Sequence, residues 1–246
     1  MALGDFSEQA AAYRGSRPSY PAELVDDLLD EWDIVAGDQV VDLGAGTGIF
    51  TELLLERDLR VTAIEPNTPM REFGQEQCPG ATWVDATFEA TGLPDRSQKW
   101  AFAAQAFHWA DVPRGLAEIR RILVPGGGFT ALWNQRDNDR SEVLGWVQEA
   151  ISRHVPGFDH DYRCRDWEAE LLLTGDFSTA TLRRLEHTVR MTPDRFRNLW
   201  RSNNQLATAA GPQHLQAFLD DLDQYLKTKQ FDAIDVPYIC HAWTAT

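Results

Sequence analysis

Apolar runs of strand length alternate with helical patterns through the first half of the chain, at nearly even spacing. These runs predict five strands, at 39–44, 60–65, 81–85, 99–105 and 128–134. Strands that alternate with helices form a parallel sheet with helices on both faces. Ligands of such sheets bind beyond the carboxyl ends of the strands, near the point where the strand order reverses.

Polar residues stand at the predicted carboxyl ends of all five strands. In chain order they are Asp42, Glu65, Asp85, Gln105 and Asn134. Because the carboxyl ends of parallel strands meet at one edge of the sheet, these side chains are expected to share a single site.

The helical pattern before the fifth strand, at 111–123, is the clearest in the chain. Its apolar positions recur at helical spacing and are Val112, Leu116, Ile119 and Leu123. Asp111 is expected to cap this helix, Pro113 suits its first turn, and the glycine-rich run that begins at Pro125 ends it.

Beyond about residue 136 the even alternation of strands and helices stops. Helices are predicted near 143–151, 166–173, 193–201 and 213–228, and strand-like runs at 179–188 and 236–245. The apolar stripe of the 213–228 helix is typical of a face that packs into a core.

The stretch from residue 40 to 48, Val-Val-Asp-Leu-Gly-Ala-Gly-Thr-Gly, carries most of the chemical information. Two strand-forming valines lead into a loop with three glycines, and an apolar helical run follows at 49–55. A strand, a glycine turn and a helix N-terminus allow a nucleotide to approach the backbone closely, because glycine has no side chain in the way.

The acids around this loop indicate which nucleotide it holds. Asp42 would repel the pyrophosphate of a dinucleotide, and Ile49 stands where the dinucleotide fingerprint needs a small residue. S-adenosyl-L-methionine (SAM) has no phosphate, and its ammonium and sulfonium favour a nearby carboxylate. Glu65 can hold both ribose hydroxyls. This loop with its two acids resembles motif I and the second-strand acid of class I SAM-dependent methyltransferases.

That resemblance implies an α/β fold with a doubly wound, seven-stranded, mostly parallel sheet. The runs at 179–188 and 236–245 would be its sixth and seventh strands, the last one antiparallel. Residues 1–136 would form an N-terminal arm and the SAM-binding core. Residues 137–246 would add a helical lid and the last two strands within one structural domain. SAM is the implied cofactor, and S-adenosyl-L-homocysteine the product.

The segment after the third strand departs from the family pattern. Methyltransferases commonly have a G-D-A-E-x-L-P-like segment there, whose acid holds the adenine amino group. If Glu89 matches the family Glu, Thr87 takes the place of that acid, and the side chain that meets the adenine stays open. Met70 is expected to pack on an adenine face. The implied cofactor residues are Arg17, Asp42, Gly44, Ala45, Gly46, Glu65, Pro66, Met70, Asp85, Thr87, Phe88, Gln105 and Ala106.

Three further segments resemble a subgroup that includes trans-aconitate-type and other small-molecule carboxyl methyltransferases. They are Ala-Gln-Ala-Phe-His-Trp at 104–109, the arm segment at 13–21, and Leu-Trp-Arg-Ser at 199–202. In that subgroup the arm folds over the cofactor and the late helix faces the substrate. The implied substrate residues are Tyr13, Arg14, Tyr20, Trp109, Trp133, Asn134, Arg136, Trp200, Arg201 and Ser202.

The acceptor atom is inferred from the acid–base chemistry that the chain offers. A carboxylate is already ionised at neutral pH and needs no base, whereas a phenol or an ammonium does. His108 is the candidate base, although a role in orienting the substrate or in capping the loop before Asp111 is favoured for it. The arginines of the segments expected at the mouth are Arg14, Arg17, Arg136 and Arg201. These features favour a carboxylate or another acidic oxygen.

Composition narrows the class of partner. The chain has 246 residues, 43% of them hydrophobic, which suffices for one sizeable core. A net charge of −15 disfavours nucleic acid and anionic membranes as partners, because phosphate attraction needs Lys and Arg. Cys78, Cys164 and Cys240 show no disulfide or metal spacing, and no apolar run approaches the ~18 residues of a membrane span. We expect a cytoplasmic monomer or homodimer that acts on a small molecule without a metal.

Three functions stay open at this point. The first is an O-methyltransferase acting on a carboxylate or hydroxyl of a small metabolite. The second is an N- or C-methyltransferase, which would need a base such as His108. The third is a protein that binds SAM without transferring its methyl group. A nicotinamide oxidoreductase is disfavoured by Asp42 and Ile49.

Overall fold

The computed structural model describes residues 10–159 and 165–246, so Cys164 lies outside the described residues. Seven strands form one sheet in the order β3-β2-β1-β4-β5-β7-β6. The strands are β1 Gln39–Leu43, β2 Arg60–Ile64, β3 Thr82–Val84, β4 Gln98–Ala104, β5 Leu123–Arg136, β6 Ala180–Met191 and β7 Ile234–Ala245. Strands β1 to β5 pair in parallel, whereas β7 is antiparallel to both of its neighbours. The prediction of a mostly parallel, seven-stranded α/β sheet is therefore confirmed.

Nine α-helices are assigned within the described residues. They are α1 Ala10–Ser16, α2 Ala22–Glu31, α3 Ile49–Leu55, α4 Thr68–Gln77, α5 Val112–Ile122, α6 Glu142–His154, α7 Trp167–Leu172, α8 Pro193–Arg201 and α9 Asn204–Lys229. Asp111 caps α5 as predicted, because its side chain accepts a hydrogen bond from the Arg114 N–H.

Helices cover both faces of the sheet. Adjacent residues of β1 point to opposite faces, so Val41 packs in a core with α5 and α7, and Val40 packs in one with α2 and α3. A separate apolar cluster joins α6, α8 and α9 to the ends of β6 and β7. The stripe predicted on 213–228 belongs to this cluster, where Phe218 and Leu222 are fully buried.

Two elements begin earlier than the sequence predicts. Strand β5 starts at Leu123, which pairs with Gln98 of β4. The sequence predicts a later start because the glycine-rich run after Leu123 has no residues typical of strands. The run must lack side chains, because a Cβ on Gly128 would lie 2.5 Å from the Trp100 ring. Helix α9 starts at Asn204, whereas the sequence predicts a helix that begins at residue 213. The additional turns lie before a kink at Gly211, which has φ +66°.

Candidate functional site

A cavity opens at the carboxyl ends of β1, β2, β4 and β5. The strand order reverses between β1 and β4, which is where open α/β sheets bind their ligands. The space inside it, which includes open solvent at its mouth, is about 1190 Å³.

The glycine loop forms the floor of the cavity at the end of β1. The Gly44 and Ala45 N–H groups both donate to the Ile64 carbonyl of β2, at 2.9 and 3.0 Å, which fixes the turn. Gly44 has φ +69°, and a Cβ there would lie 2.5 Å from the Ala106 Cβ. Only glycine fits a backbone that is both left-handed and this close to its neighbour.

Asp42 places a carboxylate at the bottom of this cavity with no exposed surface. Its Oδ2 accepts a hydrogen bond from the Thr51 hydroxyl at 2.6 Å, whereas Oδ1 has no partner among the described residues. Burial raises the pKa of Asp42 to about 7, and the nearby Glu65 adds to the rise. A cationic ligand would satisfy Oδ1 and restore the charged form.

Glu65 follows β2 and is held by two backbone donors. Gly46 N–H donates to its Oε2 and Asn67 N–H to its Oε1, both at 2.8 Å. These bonds favour the charged form, but burial dominates and raises the pKa of Glu65 above its ordinary value. The fixed carboxylate retains lone pairs that can accept hydroxyl donors.

Apolar side chains and one strained residue complete the end of the cavity that carries Asp42 and Glu65. Met70 and Phe88 are buried and line the cavity, Phe88 near Gly44 and Met70 near Gly46. Gln105 follows β4 with φ +59°, a conformation that non-glycine residues rarely adopt, and its Nε2 donates to the Asn134 carbonyl at 2.9 Å. Backbone strain of this kind clusters at functional sites.

The N-terminal arm is tied to the glycine loop and to α8. The Arg14 guanidinium donates to the Thr47 carbonyl at 2.6 Å and to Glu52 at 2.7 Å. Arg17 donates to the Ser202 carbonyl at 2.8 Å and lies over the Tyr13 ring. The arm therefore covers the cavity from above.

The side of the cavity away from Asp42 is polar and cationic. Asn134 donates to the Ser19 carbonyl of the arm at 3.1 Å, and its Oδ1 bonds His187 Nε2 at 3.0 Å. The Arg136 guanidinium lies 4.3 Å from the centre of the Trp200 ring. Tyr238 of β7 forms part of the same wall.

Most of the residues named from sequence line this cavity. They are Tyr13, Arg17, Tyr20, Asp42, Gly44, Ala45, Gly46, Glu65, Pro66, Met70, Phe88, Gln105, Ala106, Trp109, Asn134 and Arg136. The residues named from sequence leave out His187, which bonds Asn134, and eight residues of the walls, which are Pro18, Thr47, Ile49, Phe50, Asn67, Ala104, Leu199 and Tyr238. Ala104 and Leu199 stand in segments that the family resemblance singles out, whereas no motif marks Tyr238 or His187.

Eight predicted site residues are not among the lining residues of this cavity, and their roles stay predictions. Arg14 clamps the glycine loop, as described above. Two of the eight follow β3. Asp85 is exposed and ion-paired to Arg71 at 3.0 Å, and Thr87 forms a bridge to Ala90. Neither side chain lines the cavity, and Phe88 is the residue of this segment that does.

Trp133 and His108 are also absent from the walls of the cavity. Trp133 is 1% exposed and stacks on Trp167 in the core, with ring centres 4.2 Å apart. His108 accepts a hydrogen bond from the Trp133 indole N–H at 3.4 Å and does not line the cavity.

The helix α8 candidates face other partners. Trp200 lies buried beneath Arg136, and Arg201 is exposed. The Ser202 hydroxyl pairs with that of Ser16 at 3.0 Å. Of these three, none contributes a wall of the cavity.

Neither a metal-ion cluster nor a membrane-spanning helix is found in the parts of the chain that the structure describes. No group of three or more His, Cys, Asp or Glu side chains is placed to hold a metal ion. Within the same residues, no helix is long and apolar enough to cross a membrane.

The residues present fit SAM. The unpartnered Asp42 oxygen suits a cationic group, the Glu65 carboxylate suits a ribose diol, and the close Gly44 backbone leaves space for the ligand. Phe88 and Met70 offer apolar surface for a purine ring.

Comparison with known proteins agrees with this geometry. Residues 41–131 match the methyltransferase domain family. The chain is 34% identical to the uncharacterized methyltransferase Rv3342 of Mycobacterium tuberculosis over 98% of this chain and 95% of the relative. It is 29% identical to the malonyl-[acyl-carrier protein] O-methyltransferase of Serratia marcescens over 62% of this chain and 60% of the relative.

A solved structure shares the whole fold. It is described as a type II methyltransferase from Anaeromyxobacter dehalogenans, with a TM-score of 0.66 and 25% identity over 93% of this chain and 96% of that one. The glycine loop, the two acids and these matches lead to one conclusion: the chain belongs to the class I SAM-dependent methyltransferases.

Proposed function

We propose that the chain transfers the methyl group of SAM to a carboxylate oxygen of a small-molecule acceptor. The observation that carries this proposal is the lack of a free base at the cavity. No histidine, lysine or cysteine is among its described lining residues, and its two acids lie at the cofactor end. An acceptor that is already ionised needs no base, which favours a carboxylate over a phenol or an amine.

The division of charge across the cavity supports an anionic acceptor. Asp42 lies near the end of β1 and Glu65 follows β2, whereas Arg136 ends β5 and Arg17 reaches in from the arm. The acidic end suits the cationic cofactor, and the basic end attracts an acid. Such an arrangement also keeps the acceptor away from the two carboxylates that would repel it.

The roles of the residues follow from their places around the two ligands. Asp42 would hold a cationic group of the methionine moiety, Glu65 the ribose hydroxyls, and Met70 with Phe88 the adenine. When bound, SAM supplies a methyl group on a sulfonium, which is a good leaving group. The lone pair of a carboxylate oxygen would form the O–CH₃ bond as the S–CH₃ bond breaks, so the residues of the chain would have no proton to move.

Positioning is the remaining task of the protein. The acceptor oxygen must lie roughly 3 Å from the methyl carbon and in line with the breaking bond, in a site free of water. The N-terminal arm and α8 cover the cavity and are joined by the hydrogen bond from Arg17 to Ser202. Gln105 is fixed beside the glycine loop by its hydrogen bond to the Asn134 carbonyl. We propose that residues 137–246 supply the lid as well as the last two strands.

One relative and the resemblance of two segments also favour a carboxylate acceptor. The Serratia relative is named for O-methylation of a malonyl group, whose free end is a carboxylate. The segments at 13–21 and 104–109 resemble the trans-aconitate-type subgroup, which includes carboxyl methyltransferases. Methylation of an amine or carbon is the second candidate, and SAM binding without transfer is the third.

The test is a panel of acceptors with the purified protein and SAM. Matched carboxylic acids, phenols and amines would be compared through the release of S-adenosylhomocysteine. We expect turnover with acids alone, and His108→Ala should change kcat less than threefold. Turnover confined to phenols or amines, or abolished by His108→Ala, would contradict the proposal, and SAM binding with no turnover across the panel would favour the third candidate.

A further inference from the structure

Three side chains from the last strands form a row across the cationic side of the sheet. Arg136 of β5 is paired in register with Tyr238 of β7, and Tyr238 with His187 of β6. Side chains directly opposite one another in antiparallel pairs share a face and touch. The His187 ring stacks on Tyr238 with centres 5.5 Å apart, and its Nε2 bonds Asn134. The ring of Tyr238 is therefore held in one orientation.

The Tyr238 hydroxyl is a donor that the protein leaves unused. Tyr238 is 2% exposed and lines the cavity. Its O–H proton has no acceptor among the described residues. Buried polar groups in proteins are nearly always hydrogen-bonded, so a donor held at the wall of a ligand cavity points to an acceptor on the ligand.

Three guanidinium groups act on this hydroxyl electrostatically, and two of them, Arg17 and Arg136, line the cavity with it. Arg136, Arg17 and Arg195 all lie near enough to favour its ionised form, but burial outweighs them and raises the pKa of Tyr238. The hydroxyl therefore keeps its proton at neutral pH and can donate it. Arg195 Nη2 donates to the Arg17 carbonyl at 3.0 Å, which ties α8 to the arm.

Two of these guanidinium groups have no carboxylate partner among the described residues. Within the described parts of the chain, neither Arg17 nor Arg195 belongs to an ion pair. A buried hydroxyl donor beside guanidinium groups is a receptor for an anion, because planar guanidinium groups bind carboxylate and phosphate oxygens well.

This receptor is separate from the place where the methyl group is transferred. Tyr238 stands on β7, three strands from the strand that carries Asp42, and neighbouring strands are about 4.8 Å apart. The two backbones are thus about 14 Å apart. In addition, an oxygen held by guanidinium and hydroxyl donors has its lone pairs engaged, which makes it a poor nucleophile.

We infer that the acceptor carries a second anionic group, bound by Tyr238, Arg136, Arg17 and Arg195 at a subsite distinct from the reacting carboxylate. The acceptor is then a small molecule with a reacting carboxylate and a second carboxylate a few carbons away. A phosphate or phosphonate has the same recognition chemistry. The inference rests on the proposed function, because it assumes that the reacting group is itself a carboxylate.

Calorimetry with protein saturated by S-adenosylhomocysteine tests the subsite without turnover. The probes are glutarate, pentanoate, which has the same five carbons and one carboxylate, and 4-phosphonobutanoate. We expect glutarate to bind at least tenfold more tightly than pentanoate. Tighter binding of the phosphonate than of glutarate would identify the second anion as a phosphorus acid and retain the subsite.

Variants then assign the effect to the hydroxyl and the guanidinium. Tyr238→Phe and Arg195→Gln should each weaken glutarate binding at least fivefold and leave the affinity for S-adenosylhomocysteine unchanged. Tyr225→Phe is the matched control, since that hydroxyl also lacks a partner among the described residues but lies away from the cavity. It should change neither affinity.

Equal affinities for glutarate and pentanoate, no binding of any probe, or an unchanged glutarate affinity in Tyr238→Phe would overturn the inference. Failure of the proposed function gives a different result. Glutarate would still bind in calorimetry, but the acceptor panel would show methylation of amines or phenols alone. Methylation of monoacids with no preference for diacids would keep the proposed function and remove the subsite.

Discussion

Replacing Asp42 by asparagine should stabilise the free protein and weaken its hold on SAM. The side chain is fully buried, and burial raises its pKa from 3.8 to about 7. Between these values the folded chain keeps a proton that the unfolded chain releases. The free energy of unfolding therefore falls as the pH rises through that window. Asparagine has nearly the same shape and no charge to bury.

The magnitude follows from the pKa. A rise from 3.8 to about 7 corresponds to about 4 kcal/mol of lost stability above pH 7 and about 1.5 kcal/mol near pH 5. The asparagine amide offsets part of the gain, because its buried N–H groups need acceptors, at a cost of about 1–3 kcal/mol. The expected net gain is about 2 kcal/mol at pH 8, or about 4–8 °C in Tm, and close to zero at pH 5.

Cofactor binding should move in the opposite direction. A hydrogen bond to a charged group contributes about 1.5–3 kcal/mol, so SAM should bind about 10–100-fold more weakly to the variant. Thermal melts at the two pH values and calorimetry with SAM measure both effects. Asp85→Asn, at an exposed carboxylate, is the control and should change neither. A lower Tm of the variant at pH 8, or an unchanged SAM affinity, would refute the reasoning.

Two further changes test how the glycine loop and the arm hold the cofactor. Gly44→Ala should lower Tm and abolish SAM binding. Gly92→Ala, at φ +71° with open space around it, should lower the free energy of unfolding only by the backbone strain, about 1 kcal/mol. Equal losses of Tm and SAM affinity in both variants would show that crowding at the loop plays no part. Arg14→Gln should speed SAM dissociation at least fivefold in stopped-flow measurements by releasing the arm, and Arg190→Gln, at an exposed ion pair, should not. Equal dissociation rates would show that the Arg14 contact does not retain the cofactor.

The cofactor end could be predicted from the sequence because its signal is local. Asp42, Gly44 and Gly46 lie within five residues, and Glu65 follows the next strand. Backbone geometry fixes these few positions, so the glycine spacing together with the two acids and the resemblance to motif I indicates them. The alternation of strands and helices defined the sheet for the same reason.

The acceptor end could not be predicted in this way, because contacts between distant segments build it. Tyr238 reaches the wall only through the pairing of β7 with β5, about a hundred residues apart in the chain. Trp133 shows the opposite case. It lies next to Asn134 on the strand, yet it points to the other face, where it stacks on Trp167. A one-residue step along a strand therefore decides between wall and core.

The pairing of β7 between β5 and β6 also bears on how such a protein can diverge. The two acids that we propose hold the cofactor lie in β1 and just after β2, whereas the wall opposite them comes from β5, β7 and α8. Substitutions in the later segments can reshape that wall with no change at Asp42 or Glu65. Relatives can thus keep the same methyl donor and differ in the compound that they methylate, with most of the responsible substitutions in the second half of the chain.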